Sequence, residues 1–191
     1  FEYAWSPVSH LMGVKNSPEL REAYEEVLGE VVEFSLQMKQ SKPIYQALKS
    51  IRDGAGWDAL DGVQQRIIEQ KLLHAELAGI GLDGADLERF NEIAGELSKL
   101  STDFSNHVLD ATKAFALVLT EKEDAAGLPT SLLAMAAASY NDAKDENEAT
   151  PDDGPWRITL EAPSFGPFMQ HCKRRELREL VFRAFVTRAS E

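Results

Sequence analysis

A glycine-rich segment and two histidine-containing pairs are the parts of this sequence whose residue types and spacing suggest chemistry. Residues 79–84 read Gly-Ile-Gly-Leu-Asp-Gly, which is the literal spacing of a dinucleotide-binding loop. Such a loop must follow a strand and open a helix, whereas a helical pattern precedes this one. We therefore interpret Gly79 and Gly81 as residues that end a helix, and Asp83 as the cap of the next helix.

The histidine pairs have plainer interpretations than metal or nucleophile chemistry. His74 and Glu76 reproduce the His-x-Glu of zinc deaminases, which also require a Pro-Cys-x-x-Cys segment. Cys172 is the only cysteine of the chain, so we expect His74 and Glu76 to lie on an exposed helix face. His171 and Cys172 are adjacent and would diverge on a helix, which predicts structural roles for both.

Composition narrows the class of protein. The chain has 191 residues, 43% of them apolar and 27% charged, as in ordinary globular proteins. Its net charge of -12 argues against partners such as nucleic acid or an anionic membrane, because both require a basic surface. No segment approaches the ~18 apolar residues of a membrane span. A single cysteine excludes intrachain disulfides and predicts a reducing intracellular compartment.

The start of the chain carries no targeting signal. The first residues, Phe-Glu-Tyr-Ala-Trp, include neither a Met nor a basic segment followed by an apolar one. We therefore expect the chain to be a piece of a longer polypeptide.

Three helices are predicted before residue 80. Ser17, Pro18 and Glu19 form a helix-start signal, and the apolar spacing that follows predicts a helix to about Lys39. A short helix over Pro43–Ile51 comes next. The third ends near Gly79, and its apolar residues predict one buried face: Leu60, Val63, Ile67, Ile68, Leu72 and Ala75.

A long fourth helix is predicted over Leu87–Phe115. Its apolar and small residues alternate at steps of three and four, so we expect a buried seam along a rod of roughly 43 Å, packed against antiparallel neighbours. The seam consists of Leu87, Phe90, Ala94, Leu97, Ser101, Phe104, Val108, Ala111 and Phe115.

The remainder of the chain combines a β ribbon with further helices. Alternating residues predict paired strands at residues 115–120 and 156–161, with a helix at Pro129–Ala143 between them. The acidic loop Asp145–Pro155 is expected to be disordered, and the chain is predicted to be helical from Ser164 to its end. The predicted fold class is mainly α: an antiparallel helical bundle with a long central helix and a two-stranded β ribbon. Within one domain, 1–191, the predicted parts are 1–114, 115–162 and 163–191.

Several phrases of the sequence resemble one family of peptidases. They follow one another in the same order as in that family and cover essentially the whole chain: residues 5–11, 16–24, 77–82, 104–112, 127–129, 158–164, 175–179, 183–185 and 187–190. The chain is thereby similar to the thimet oligopeptidase and oligopeptidase A family, with His107 and the triplet Met169-Gln170-His171 closest to its plant and bacterial branch.

The resemblance implies a zinc endopeptidase for short peptides, with a helical body split by a deep channel. In that family a His-Glu-x-x-His helix supplies two zinc ligands and the general base, and a later Glu supplies the third ligand. This sequence contains no His-Glu-x-x-His. We therefore assign it no catalytic residue, no metal ligand and no cofactor of its own, and leave substrate-binding residues unknown.

The role implied for this chain is that of an inactive channel wall that partners the remaining catalytic part of the same polypeptide. The compartment implied for a plant protein is the cytosol or a plastid or mitochondrial matrix. The alternative function is a stand-alone helical module that binds a protein or peptide. A large exposed apolar surface favours the first interpretation, and an evenly polar surface favours the second.

Three charged clusters have both a structural and a functional interpretation. His107 and Asp110 predict a capping or helix–strand hydrogen bond, or else a role in the channel wall. An acidic stripe predicts a solvated face or a lining that attracts basic peptide ends: Glu22, Glu26, Glu30 and Glu33. A basic cluster predicts ion pairs of Arg175 and Arg183 with Glu179, or a contact with the remainder of the polypeptide: Lys173, Arg174, Arg175 and Arg178.

Overall fold

The chain is mainly helical with one small antiparallel sheet, which confirms the predicted fold class. A computed structural model describes residues 1–145 and 148–190. The helices are α1 (Glu2–Val14), α2 (Pro18–Lys39), α3 (Lys42–Arg52), α4 (Gly62–Leu77), α5 (Gly84–Ala114), α6 (Lys122–Ala125), α7 (Thr130–Lys144), α8 (Ala162–His171) and α9 (Arg175–Val186). The strands are β1 (Leu117–Leu119) and β2 (Trp156–Ile158), and a short 3-10 turn occupies Trp57–Ala59.

The chain divides into two compact units. The first unit is Phe1–Thr102 and the second is Asp103–Glu191, so the division falls within α5. The subdivision at residues 114 and 162 remains a prediction. α1, α6 and the 3-10 turn were not predicted. α1 contains Pro7 in its interior and places no residue in a core, so a clear apolar face was missing from its sequence.

Helix ends in the first unit follow the predicted signals. The Ser17 side chain accepts a hydrogen bond from the Leu20 amide at 3.2 Å, with Pro18 as the first residue of α2. At the end of α4 the Ile80 amide donates to Ala75 and the Gly79 amide donates to Glu76, which is the Schellman pattern. Gly79 adopts the positive φ of 85° that this pattern requires. The segment beginning at Gly79 is therefore a helix end, as predicted.

α4 does not have the single buried face that was predicted. Ala75 is buried and Leu72 half-buried, on the side that packs against α3. Val63 and Ile67, by contrast, are 70% and 54% exposed. The pattern contained two apolar faces and was interpreted as one.

The predicted seam of α5 is wrong in its middle. The helix has no buried residue. Phe90 and Val108, near its ends, are half-buried, whereas Leu97 and Phe104 are 58% and 57% exposed. A helix of 31 residues needs neighbours along its whole length to bury a seam, and α5 is held mainly near its ends. There Gln40 donates to Asn91 at 2.8 Å, and Arg188 donates to Thr112 at 2.9 Å.

The second unit has a core built around the ribbon. β1 and β2 are antiparallel, with Leu117 opposite Ile158 and Leu119 opposite Trp156. Trp156 and Ile158 are buried whereas Arg157 is half-buried, which confirms the predicted alternation. The strands are shorter than predicted. α7 and α8 pack on the ribbon and complete a core that includes Leu119, Leu128, Leu132, Ala136, Trp156, Ile158, Leu160, Phe168, Cys172 and Val181.

The acidic loop and the last helices differ from prediction. Residues 148–155 form a defined turn rather than a disordered loop, with a bridge between Thr150 and Gly154. Asn141 anchors this turn through paired hydrogen bonds with the backbone of Ala149. Residues 146 and 147 of the predicted loop lie outside the described residues. The helical run after Ser164 breaks at residues 172–174 before α9 begins.

Candidate functional site

The predicted chemical candidates are dispersed over the described chain. His74 and Glu76 are both exposed, as expected, and Glu76 accepts a hydrogen bond from the Tyr45 hydroxyl at 2.8 Å. His171 is exposed whereas Cys172 is buried, so the two side chains diverge. Within residues 1–145 and 148–190 no three His, Cys, Asp or Glu side chains come together as a metal site would require. The predicted candidate residues therefore do not lie together in one site.

A polar groove of about 500 Å³ lies between α3 and the end of α4. Its wall includes Tyr45 and Glu76, and the hydrogen bond to the Glu76 carboxylate raises the pKa of the Tyr45 phenol. On the rim, Lys42 Nζ lies 2.7 Å from Asp83 Oδ1. These internal pairs engage Lys42, Tyr45 and Glu76, and Lys49 also lines the groove.

A second groove, of about 430 Å³, brings His107 and Asp110 beside Arg188. Arg188 is the structural centre of this region. Its guanidinium donates to the Thr112 hydroxyl at 2.9 Å and to the Phe185 carbonyl at 2.9 Å, and it lies 3.7 Å from the Phe185 ring centroid. His107 is exposed, and within the described residues it makes neither of the hydrogen bonds predicted for it.

The acidic stripe and the basic cluster mainly show the structural features predicted for them, a solvated face and ion pairs. The four residues of the acidic stripe on α2 are exposed to solvent: Glu22, Glu26, Glu30 and Glu33. Arg183 pairs with Glu179 at 2.8 Å, as predicted. The Arg175–Glu179 pair is not seen in the part of the chain that the structure describes. Instead Arg174 bridges Asp124 and Glu176.

Residues 172–178 are tied to the rest of the second unit by arginines. Arg178 donates to the Cys172 carbonyl, and Cys172 is 3% exposed. Arg174 occupies the position before α9 without a side-chain cap. A hydrogen bond to its own backbone holds the pKa of the Glu176 carboxyl below its ordinary value, and Coulombic attraction and a hydrogen bond from Arg174 lower it further.

The most extensive feature that sequence reasoning missed is exposed apolar surface. The accessible area is 12812 Å². A folded protein of 21.2 kDa exposes about 9,100 Å², and two separate globules of half that mass expose about 10,900 Å² together. The exposed residues include large apolar side chains, each more than half exposed, among them Tyr3, Val14, Val63, Ile67, Leu77, Leu97, Leu100 and Phe104.

The first unit carries most of this apolar surface. Its buried hydrophobic residues are small in number within the described chain: Ala75, Ala78 and Ile80. On α5, Ile93, Leu97 and Leu100 are 40%, 58% and 63% exposed and lie on one narrow face. Monomeric proteins rarely leave such faces uncovered, so they mark contact surfaces. The sequence signal for this exposed surface is that apolar residues occur on opposite sides of α4. Interpreting them all as one buried face conceals the exposed side.

Together, these features describe a mainly helical chain with extensive exposed apolar surface. A family model described as the N-terminal domain of neurolysin and thimet oligopeptidase matches residues 1–87. The chain is 50% identical to a probable cytosolic oligopeptidase A of Arabidopsis thaliana, over 97% of this chain and 26% of that protein. It is 42% identical to oligopeptidase A of Escherichia coli K12, over 98% of this chain and 26% of that protein.

The chain belongs to the thimet oligopeptidase and oligopeptidase A family and corresponds to an N-terminal portion of its members. A further relative, an organellar oligopeptidase A of chloroplasts and mitochondria in Arabidopsis thaliana, is 49% identical over 97% of this chain and 23% of that protein. The chain thus spans about a quarter of the length of the curated relatives it matches. Among the described residues, no helix has the length and hydropathy to cross a membrane.

Proposed function

We propose that this chain is the N-terminal, non-catalytic part of a channel wall in a zinc metalloendopeptidase that degrades short peptides. One observation carries the proposal. The similarity to oligopeptidase A runs along 97–98% of this chain but covers only about a quarter of those relatives. The chemistry of the whole protein then resides in the other three quarters of its length.

The zinc of the proposed enzyme would be held outside this chain. A catalytic zinc requires three protein ligands and an open position for water. The sequence has no His-Glu-x-x-His, and the described residues bring no three ligand side chains together. The residues present therefore do not fit a zinc site, and we derive no catalytic step from them.

The proposed role of the chain is steric. A wall of helices on one side of a channel admits short, extended peptides and excludes folded proteins. The solvated acidic face of α2 would add an attraction for the basic ends of such peptides. Both effects change access to the reaction and leave its chemistry unaltered.

The exposed apolar faces argue against the alternative, a stand-alone binding module. Val63 and Leu77 on α4 and Leu97 and Leu100 on α5 are each more than half exposed. These residues lie on two different helices, whereas a single groove for one helical or peptide partner would concentrate them. Coverage by more of the same polypeptide accounts for both faces at once.

The compartment is proposed on two grounds. One matched relative is named as cytosolic and another as chloroplastic and mitochondrial. Cys172 is a free, buried thiol, which suits a reducing interior. We infer an intracellular compartment of this kind for the present protein.

Metal content and substrate length test the proposal. We expect the full-length protein to bind zinc and to cleave peptides, with rates that fall steeply when the same sequence is embedded in a folded domain. The 191-residue chain should bind no zinc above the level of a chelator-treated control. A full-length protein without peptidase activity, or one that digests folded proteins equally well, would contradict the proposed function.

A further inference from the structure

α4 is apolar on two opposite sides. Its inner side, which includes Leu72 and the buried Ala75, packs against α3. On the other side Val63, Ile67 and Leu77 are 70%, 54% and 69% exposed. A helix that is apolar on both sides is normally covered on both sides. We call the exposed side the outer face of α4.

The outer face forms one continuous strip. At 3.6 residues per turn, Val63, Ile67 and Leu77 fall within an arc of about 80° around the helix axis. Gln70 and His74 occupy the same arc between them. A shallow groove of about 540 Å³ runs along this strip and is lined by four of these five side chains. The strip is therefore long enough to receive a helix or an extended segment.

The edges of the outer face are positively charged. Arg66 and Lys71 flank the strip, and in the described part of the chain neither takes part in an ion pair. The carboxylates of α4 instead point towards α3: Glu69 pairs with Arg52 at 3.6 Å, and Glu76 accepts from Tyr45. A local positive edge in a chain of net charge -12 selects an occupant that carries carboxylates.

We propose that the outer face of α4 binds a segment of the same polypeptide from the length that lies beyond this chain. That segment would be apolar along one side and would carry acidic residues opposite Arg66 and Lys71. The inference rests on the proposed function, because the matched relatives have about three quarters of their length outside the region shared with this chain.

Thiol labelling tests whether the outer face is covered. Cys172 is buried, so an introduced cysteine dominates the reaction of this chain with a maleimide, and peptide mapping reads the same position in the full-length protein. For Ile67→Cys, we expect labelling on the order of tenfold slower in full-length protein than in the 191-residue chain. Ala134→Cys on the exposed side of α7 is the matched control and should label at the same rate in both forms.

Two other occupants give different labelling results, and both would overturn the proposal. Protection of Ile67→Cys in the 191-residue chain that grows with its concentration would indicate a second copy of this chain. Protection in the full-length protein only after a saturating, uncleavable peptide is added would indicate substrate. Equal, rapid labelling in both forms without peptide would show that the face is uncovered.

Charge reversal tests the predicted chemistry of the occupant. We expect Arg66→Glu with Lys71→Glu to lower the Tm of the full-length protein and to leave that of the 191-residue chain unchanged. Lys39→Glu, at the exposed end of α2, is the control and should change neither. An unchanged Tm in both forms would remove the acidic partner from the proposal.

Peptidase activity separates this inference from the proposed function. A full-length protein that cleaves short peptides but labels rapidly at Ile67→Cys would retain the function and lose the α4 contact. A full-length protein that is protected at this position but inactive would retain the contact and lose the function.

Discussion

Arg188 is the residue on which the end of α9 and the end of α5 depend most directly. It donates to Thr112 and Phe185 and lies over the Phe185 ring, which itself stacks on Phe165 with centroids 4.0 Å apart. We expect Arg188→Ala to lower the free energy of unfolding by roughly 2–3 kcal/mol, through two lost hydrogen bonds and the lost cation–π contact. Urea denaturation measures the change.

Arg183→Ala is the matched control for Arg188. Its ion pair with Glu179 joins side chains that are 73% and 56% exposed. Solvent screens such a pair, so the substitution should change the stability by less than about 0.5 kcal/mol. Equal losses for the two arginines would contradict the structural role given to Arg188.

Two glycines are expected to respond in opposite directions to alanine. Gly154 has a φ of 71°, and an added Cβ would lie 2.8 Å from the ring of Trp156, which is 2% exposed. Gly154→Ala should therefore destabilise the protein by roughly 1–3 kcal/mol. Gly95, inside α5, has open space where its Cβ would lie, so Gly95→Ala should stabilise by about 0.5–1 kcal/mol. Thermal unfolding of both variants shows whether each substitution raises or lowers the stability.

Tyr45 provides a prediction about pH. Its hydrogen bond to Glu76 raises the pKa of the phenol above the ordinary value of about 10. A raised folded-state pKa contributes stability that is fully present below the unfolded pKa and is lost as the pH rises through the folded one. Tyrosinate absorbance should show a high-pH component that Glu76→Gln shifts towards the ordinary value. A titration identical in both proteins would contradict the hydrogen bond.

At the scale of elements, α5 shows which features a sequence pattern can predict and which it cannot. The spacing of its apolar residues predicted a helix over Leu87–Phe115, and α5 spans Gly84–Ala114, since periodicity is a local property. Periodicity does not say what covers the apolar face, and the middle of that face is open to solvent. The same limit applies to α4, where Val63 and Ile67 were assigned to the side of Leu72.

The ribbon and the candidate sites also separate features that have a local sequence signal from contacts between distant residues. β2 was predicted because Trp156 and Ile158 alternate with polar residues, and its core packing followed. The pairing of Arg174 with Asp124, 50 residues away, has no local sequence signal and was missed. The His74 and Cys172 interpretations depended on the types of neighbouring residues, and local reasoning was sufficient for them.

Polar substitution in α5 tests whether its seam is exposed. We expect Leu97→Ser with Phe104→Ser to lower the unfolding free energy of the 191-residue chain by less than about 1 kcal/mol, since both side chains are more than half exposed. Leu132→Ala in α7, at a side chain 2% exposed, should cost about 2–5 kcal/mol. A loss of similar size from the α5 pair would show that the predicted seam is buried after all.

At the scale of the whole molecule, burial is unevenly shared between the two units. The second unit has a core around Trp156, Ile158 and Phe168, whereas the first unit buries few large side chains among its described residues. A unit with little core of its own gains most from contact with more protein. This distribution agrees with the chain being an N-terminal portion of a longer polypeptide.

We propose that this chain belongs to the wall of a peptidase and performs none of its chemistry. Cleavage of a quenched-fluorescence peptide, with and without a metal chelator, tests it most directly. The account predicts chelator-sensitive cleavage by the full-length protein and none by the purified 191-residue chain. Chelator-sensitive cleavage by the 191-residue chain alone would contradict it.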